Sequence, residues 1–225
     1  IEKVDNLTDD SSIQGMVIYL KSISASLSKR VEIRDALLRF KNSGKKIILY
    51  SENGISNINY HIASIADEIY VNKLTGVDLK GLSMEVTFYR DLLDTLKIEP
   101  NIWRVQDEQG KSYKTAGDSF LNSSMSGEMR ENYTQLLDDL NDVFVEDIAI
   151  ARGWLNDEKQ ADVNFTQSII NEGPYWQADF AKERGLIDGI YYPDEFKKYL
   201  KDSITKDQKT QNFKKIKKIP DYHYN

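Results

Sequence analysis

The residues with the most chemical potential lie at positions 110–120, which read Gly-Lys-Ser-Tyr-Lys-Thr-Ala-Gly-Asp-Ser-Phe. Lys114 stands there between Tyr113 and Thr115, with a second hydroxyl two residues upstream at Ser112. Taken alone, such a lysine is a solvated structural residue, because lysine is seldom fully buried. Other chemistries have less to draw on. The chain has no cysteine, which excludes disulfides, thiolate metal sites and a cysteine nucleophile. The two histidines, His61 and His223, lie too far apart for metal-ligand spacing, so no metal and no other cofactor is expected. A Ser-His-Asp triad would have to use one of them, and neither has a motif around it.

The elements that must position Lys114 follow from composition and periodicity. A 225-residue chain with 40% apolar and 29% charged residues is an ordinary globular protein, long enough to bury a core. Its net charge of −6 argues against a nucleic-acid partner, which would need a clustered basic surface. No apolar run reaches the roughly 18 residues of a membrane-spanning helix. The chain starts at Ile1 without a methionine and carries no signal peptide, so a piece of a longer or trimmed protein is expected.

Residues 1–12 are polar, a loop or the end of a preceding helix. Residues 13–20 are apolar and rich in β-branched side chains, which predicts a strand buried on both faces. A helix follows over 31–41, with Ile33, Ala36, Leu37 and Phe40 on one side and a stop at Gly44. Residues 47–50 make a second strand. This order predicts a parallel βαβ unit with a right-handed crossover. The theme repeats with a helix over 57–66 burying Ile58, Ile62 and Ile65, and a strand over 68–71. An exposed strand with a turn is predicted at 77–84, a helix at 87–96 and a strand at 98–105 carrying Trp103. The strongest pattern is a helix over 128–152, whose apolar stripe runs from Met129 to Ala151 between a Ser126 cap and Gly153. Helices are predicted at 175–184 and 194–201. An α/β domain over 1–203 and a lysine-rich linker over 204–225 are expected.

Separated stretches then carry a resemblance. They are Gly15-Met-Val-Ile-Tyr-Leu, Arg39-Phe-Lys-Asn-Ser-Gly-Lys-Lys, Tyr60-His-Ile-Ala-Ser-Ile-Ala-Asp-Glu-Ile-Tyr, Val77-Asp-Leu-Lys-Gly-Leu, Tyr113-Lys-Thr-Ala and Ala181-Lys-Glu-Arg-Gly-Leu-Ile-Asp. In that order the chain resembles the signal peptide peptidase A (protease IV) family, specifically the amino-terminal half of its long two-domain form. The resemblance implies the fold of the caseinolytic protease and crotonase superfamily, with stacked βαβ units and a mostly parallel sheet. It implies a serine–lysine endopeptidase that degrades cleaved signal peptides, or other unfolded peptides. It further implies a place in the bacterial cell envelope, with an inner-membrane anchor missing from this chain and the domain on the extracytoplasmic side. The implied partners are its own carboxy-terminal half and further copies of itself.

In the family's long form the amino-terminal half gives a lysine from a Tyr-Lys-Ser-Ala motif, and the other half gives the serine. That motif reads Tyr113-Lys114-Thr115-Ala116 here, which makes Lys114 the implied general base and Tyr113, Thr115 and Ser112 its supports. A lysine serves as a base only when neutral. Lowering a free lysine's pKa of about 10.4 by about 3 units takes roughly 4 kcal/mol of preference for the neutral form, which desolvation can supply. Against the short relatives' Ala-Ser-Gly-Gly-Tyr-Tyr, Asn57 falls at the nucleophile position and Ser56 is one residue off. The relatives' Pro-Gly-Gly loop is replaced by glycine-free Ser22-Ile-Ser-Ala-Ser-Leu, so no oxyanion hole is expected in this half. The alternatives are a non-catalytic assembly module, favoured by Asn57, and an acyl-CoA enzyme of the crotonase type, disfavoured by the same loop.

Overall fold

The computed structural model describes residues 1–208, with side chains through residue 203. The chain divides into two compact units. The first comprises Ile1–Leu79, Ala151–Gly153 and the segment from Glu172 onward; the second comprises Lys80–Ile150 and Trp154–Asn171.

The first unit is built on a four-stranded parallel sheet in the order β1 (Gly15–Tyr19), β2 (Lys46–Ser51), β4 (Glu68–Val71) and β6 (Gly189–Ile190). Helix α1 (Glu2–Asp9) precedes β1, α2 (Leu27–Asn42) and α3 (Asn57–Ala63) connect later strands, and α8 (Ala178–Glu183) and α9 (Pro193–Gln208) come late in the chain. This is the α/β class with stacked βαβ units and a parallel sheet expected from the sequence. Ser26 caps α2 by accepting the Lys29 amide, and the helix stops before Gly44, whose φ of +82° favours a residue without a side chain. The core gathers Phe40, Ile47, Leu49, Tyr60, Ile69, Leu186 and Phe196. Burial of these side chains, each contributing about 1.5–3 kcal/mol, outweighs any single polar contact. A two-stranded sheet extends the unit: β3 (Ile55–Ser56) runs parallel to β5 (Val77–Asp78), with Ser56 opposite Asp78.

Several expectations for this unit change. β1 is not buried on both faces; it pairs only with β2 among the described residues, and Val17 and Tyr19 are 36% and 52% exposed. Residues 2–9, expected as a loop or helix end, form α1, held partly by the Lys45 ammonium donating to the carbonyls of Leu7 and Asp10. In α3 Ile58 faces water, while Asn59 is buried. The helix expected at 175–184 shortens to α8, and the one at 194–201 lengthens to α9. The predicted linker over 204–225 therefore begins as backbone of α9, and its residues 209–225 lie outside the described residues.

The second unit is dominated by α6 (Gly127–Arg152), joined by α4 (Arg90–Thr95), α5 (Asp118–Leu121) and α7 (Val163–Glu172). Ser126 caps α6 as the sequence suggests, accepting the Met129 amide at 3.1 Å. Its stripe is core at Met129, Phe144 and Ile148, but Leu136 is 44% exposed. The strand expected at 98–105 does not form, because no ladder partner reaches it among the described residues. Only Val77 and Asp78 of the strand expected at 77–84 pair. No helix of the described residues is long and apolar enough to cross a membrane.

Candidate active site

Lys114 sits in the second unit, immediately before a single 3-10 turn, Thr115–Gly117, that leads into α5. Its side chain is exposed, and its ammonium has no hydrogen-bond or ion-pair partner among the described residues. The turn beneath it is fastened. Ser112, only 7% exposed, donates its hydroxyl to the Val105 carbonyl at 2.6 Å and accepts the Lys114 backbone amide at 3.2 Å. Thr115 is buried as a residue, and neither its hydroxyl nor that of Ser112 bonds the Lys114 amine among the described residues. Tyr113 donates its phenol to Glu131 on α6 at 2.8 Å, and that hydrogen bond raises the phenol's pKa above its ordinary value. Gly117 permits close approach to Ile102, since a Cβ there would lie 2.8 Å from its Cγ2.

Asp118, which sequence reasoning passed over, is the most buried charged group of the turn, at 0% exposure. Its carboxylate pairs with the Arg104 guanidinium and accepts the Ser126 hydroxyl at 2.6 Å. A buried carboxylate keeps its charge only with such partners. An acid four residues after the lysine was visible in the sequence; its burial was not.

Ser56 and Asn57, set beside the short relatives' nucleophile in the sequence reading, lie in the first unit. Ser56 ends β3 with an exposed side chain that caps nothing, and Asn57 opens α3, half-buried and engaged in contacts. His61 is buried within α3. The loop at 21–26 is organised by Arg30, which donates to the Ile23 carbonyl at 2.8 Å, the Ala25 carbonyl at 2.9 Å and Asn59 Oδ1 at 3.0 Å. An oxyanion hole needs amide donors converging on one point. Here the groups held in place are carbonyl acceptors, turned to a guanidinium. Among the described residues no cluster of acids and histidines has metal-binding geometry.

Comparison with known proteins gives the chain a family. Residues 39–207 match the model of peptidase family S49, and the chain belongs to that family. It is 30% identical to Protease 4 of Haemophilus influenzae over 83% of this chain and 30% of that protein. It is 32% identical to the chloroplastic serine protease SPPA of Arabidopsis thaliana over 96% of this chain and 29% of that protein. Protease 4 of Salmonella typhi is 25% identical over 96% of this chain and 34% of that protein. The chain thus spans about a third of the length of these relatives. A crystal structure of a peptidase from Plasmodium falciparum aligns with a TM-score of 0.47 at 12% identity, over 85% of this chain and 86% of that one.

Proposed function

We propose that this chain is the lysine-donating, amino-terminal half of a serine endopeptidase of the Ser-Lys dyad type that degrades cleaved signal peptides at a membrane. Lys114 is its general base, and the nucleophilic serine comes from a carboxy-terminal half or a further copy. The neutral amine takes the serine proton as the oxygen attacks the peptide carbonyl, then returns it to the leaving nitrogen. For that the partner must cover Lys114 and strip its water. In this reading the full-length protein is an envelope-located, membrane-anchored homo-oligomer.

The observation that carries the reading is the state of Lys114: exposed and unpartnered among the described residues, on a turn whose neighbours Ser112, Thr115 and Asp118 are all buried. Asn57 at the nucleophile position favours a second reading, a non-catalytic assembly module. One experiment separates them. Peptide hydrolysis by the full-length gene product is measured between about pH 6 and 10 for Lys114→Ala, Lys114→Arg and Ser56→Ala. Both lysine variants should lose about 100-fold or more, since guanidinium does not deprotonate in this range. Ser56→Ala should stay near wild type. Near-normal turnover in either lysine variant removes Lys114 from the chemistry and leaves the assembly module.

A further inference from the structure

We propose that Asp118, with Arg104 and Ser126, is the positioning device that sets where Lys114 points; this rests on the reading of Lys114 as the base. The turn carrying the lysine is strapped to the segment 102–105 at three places. Upstream, the Ser112 hydroxyl donates to the Val105 carbonyl at 2.6 Å. In the middle, Gly117 lies against Ile102, with room for no Cβ. Downstream, the Asp118 carboxylate holds the Arg104 guanidinium. Lys114 lies between the outer two straps, so its backbone has little freedom to drift.

Asp118 does more than close the strap. Its second oxygen accepts the Ser126 hydroxyl at 2.6 Å, and the same Ser126 oxygen accepts the Met129 amide at 3.1 Å. One carboxylate therefore joins the segment 102–105, the lysine turn and the first turn of the 26-residue helix α6. Tyr113 adds a second tie from the turn to that helix through Glu131. A buried ion pair is a weak source of net stability compared with apolar packing, yet it demands one geometry. That is the property a base needs, because a displacement of about 1 Å costs about 100-fold in rate.

The test uses the full-length gene product with Asp118→Ala, Arg104→Met, Arg104→Lys and Lys114→Ala. Each is assayed for kcat and KM in peptide hydrolysis well below its melting temperature, with the folded fraction measured by circular dichroism. We expect Asp118→Ala and Arg104→Met to lower kcat per folded molecule by about 100-fold while KM moves less than about threefold. Arg104→Lys, which keeps the cation but not the planar fork, should recover part of the loss. Losses confined to the folded fraction, with kcat per folded molecule unchanged, overturn the proposal and make the pair purely structural. If Asp118→Ala does not fold, Arg104→Met decides: the Arg104 side chain is 26% exposed, and an unchanged kcat per folded molecule there is equally fatal. Activity in Lys114→Ala would instead sink the reading beneath, so the two failures are distinguishable.

Discussion

Around Arg30, the loop at 21–26 and helix α3 spend their polar groups on one another: the guanidinium takes two loop carbonyls and the Asn59 amide oxygen. Around Lys114 the polar groups of Ser112, Asp118 and Tyr113 are spent on Val105, Arg104, Ser126 and Glu131, but the ammonium itself is left without a partner among the described residues. A folded chain satisfies its buried polar groups wherever it can. The Arg30 groups thus hold structure, whereas the exposed Lys114 ammonium is left to water. The difference also separates two kinds of basic residue. The planar guanidinium suits a fixed fork of acceptors, whereas the single-point ammonium is the one that can give up its proton.

Stability measurements can break this contrast, and the largest effect belongs to Arg30. Arg30→Met should cost about 2–3 kcal/mol in denaturant unfolding, because it strands the Ile23 and Ala25 carbonyls and the Asn59 oxygen. Hydrolysis per folded molecule should be unaffected. A loss of turnover at full folding would mean that the loop takes part in the chemistry, and the contrast would collapse.

A smaller effect comes from Glu68, a carboxylate that joins β4 to α9 in the first unit. It accepts the phenols of Tyr70 at 2.8 Å and Tyr199 at 2.9 Å, and pairs with Lys46. Burial raises its pKa, but the hydrogen bonds from Lys46, Tyr70 and Tyr199 outweigh burial and hold it below the ordinary 4.5. A depressed folded value means that Glu68 stabilises the fold above the unfolded-state pKa. That contribution disappears as the pH falls from 4.5 through the folded value. Its side chain is 23% exposed, so water screens the network and the contribution should be about 1 kcal/mol. Glu68→Gln should flatten the stability–pH curve below pH 4.5; a curve of unchanged slope would show that other carboxylates set it.

The periodic parts of this architecture were legible from the residues alone. The βαβ order, the strand at 68–71 and the capped helix α6 all rest on local patterns and local caps. The failures share a cause as well. Residues 98–105 have strand-like composition, but a strand needs a neighbour, and composition does not say whether one is present. Their side chains alternate instead between uses, with Arg104 turned to Asp118 and Trp103 left 90% exposed. Arg34, Asn59 and Asp118 are buried although their types predict surface, because each is satisfied by a partner distant in sequence. For the candidate site, the motif singled out Lys114, and the structure adds its exposure and its turn. The carboxylate beneath it became visible only once Arg104 and Ser126 were seen to converge on it.

The smallest expected effect on stability is at Lys114, and it sharpens the contrast most. The side chain is exposed and its ammonium is unpartnered among the described residues, so truncation removes no hydrogen bond and opens no cavity. Lys114→Ala should therefore shift unfolding by no more than about 0.5 kcal/mol, the range of ordinary surface substitutions. The backbone contact that fixes the turn, from the Lys114 amide to Ser112 Oγ, survives the change because it does not involve the side chain. Arg30 and Lys114 then form opposite cases: one costly to the fold and silent in turnover, the other nearly free to the fold and required for turnover. A Lys114→Ala variant that unfolds several kcal/mol more easily would show that the amine has a structural partner in the full-length protein. The loss of activity in that variant could then no longer be assigned to a missing base.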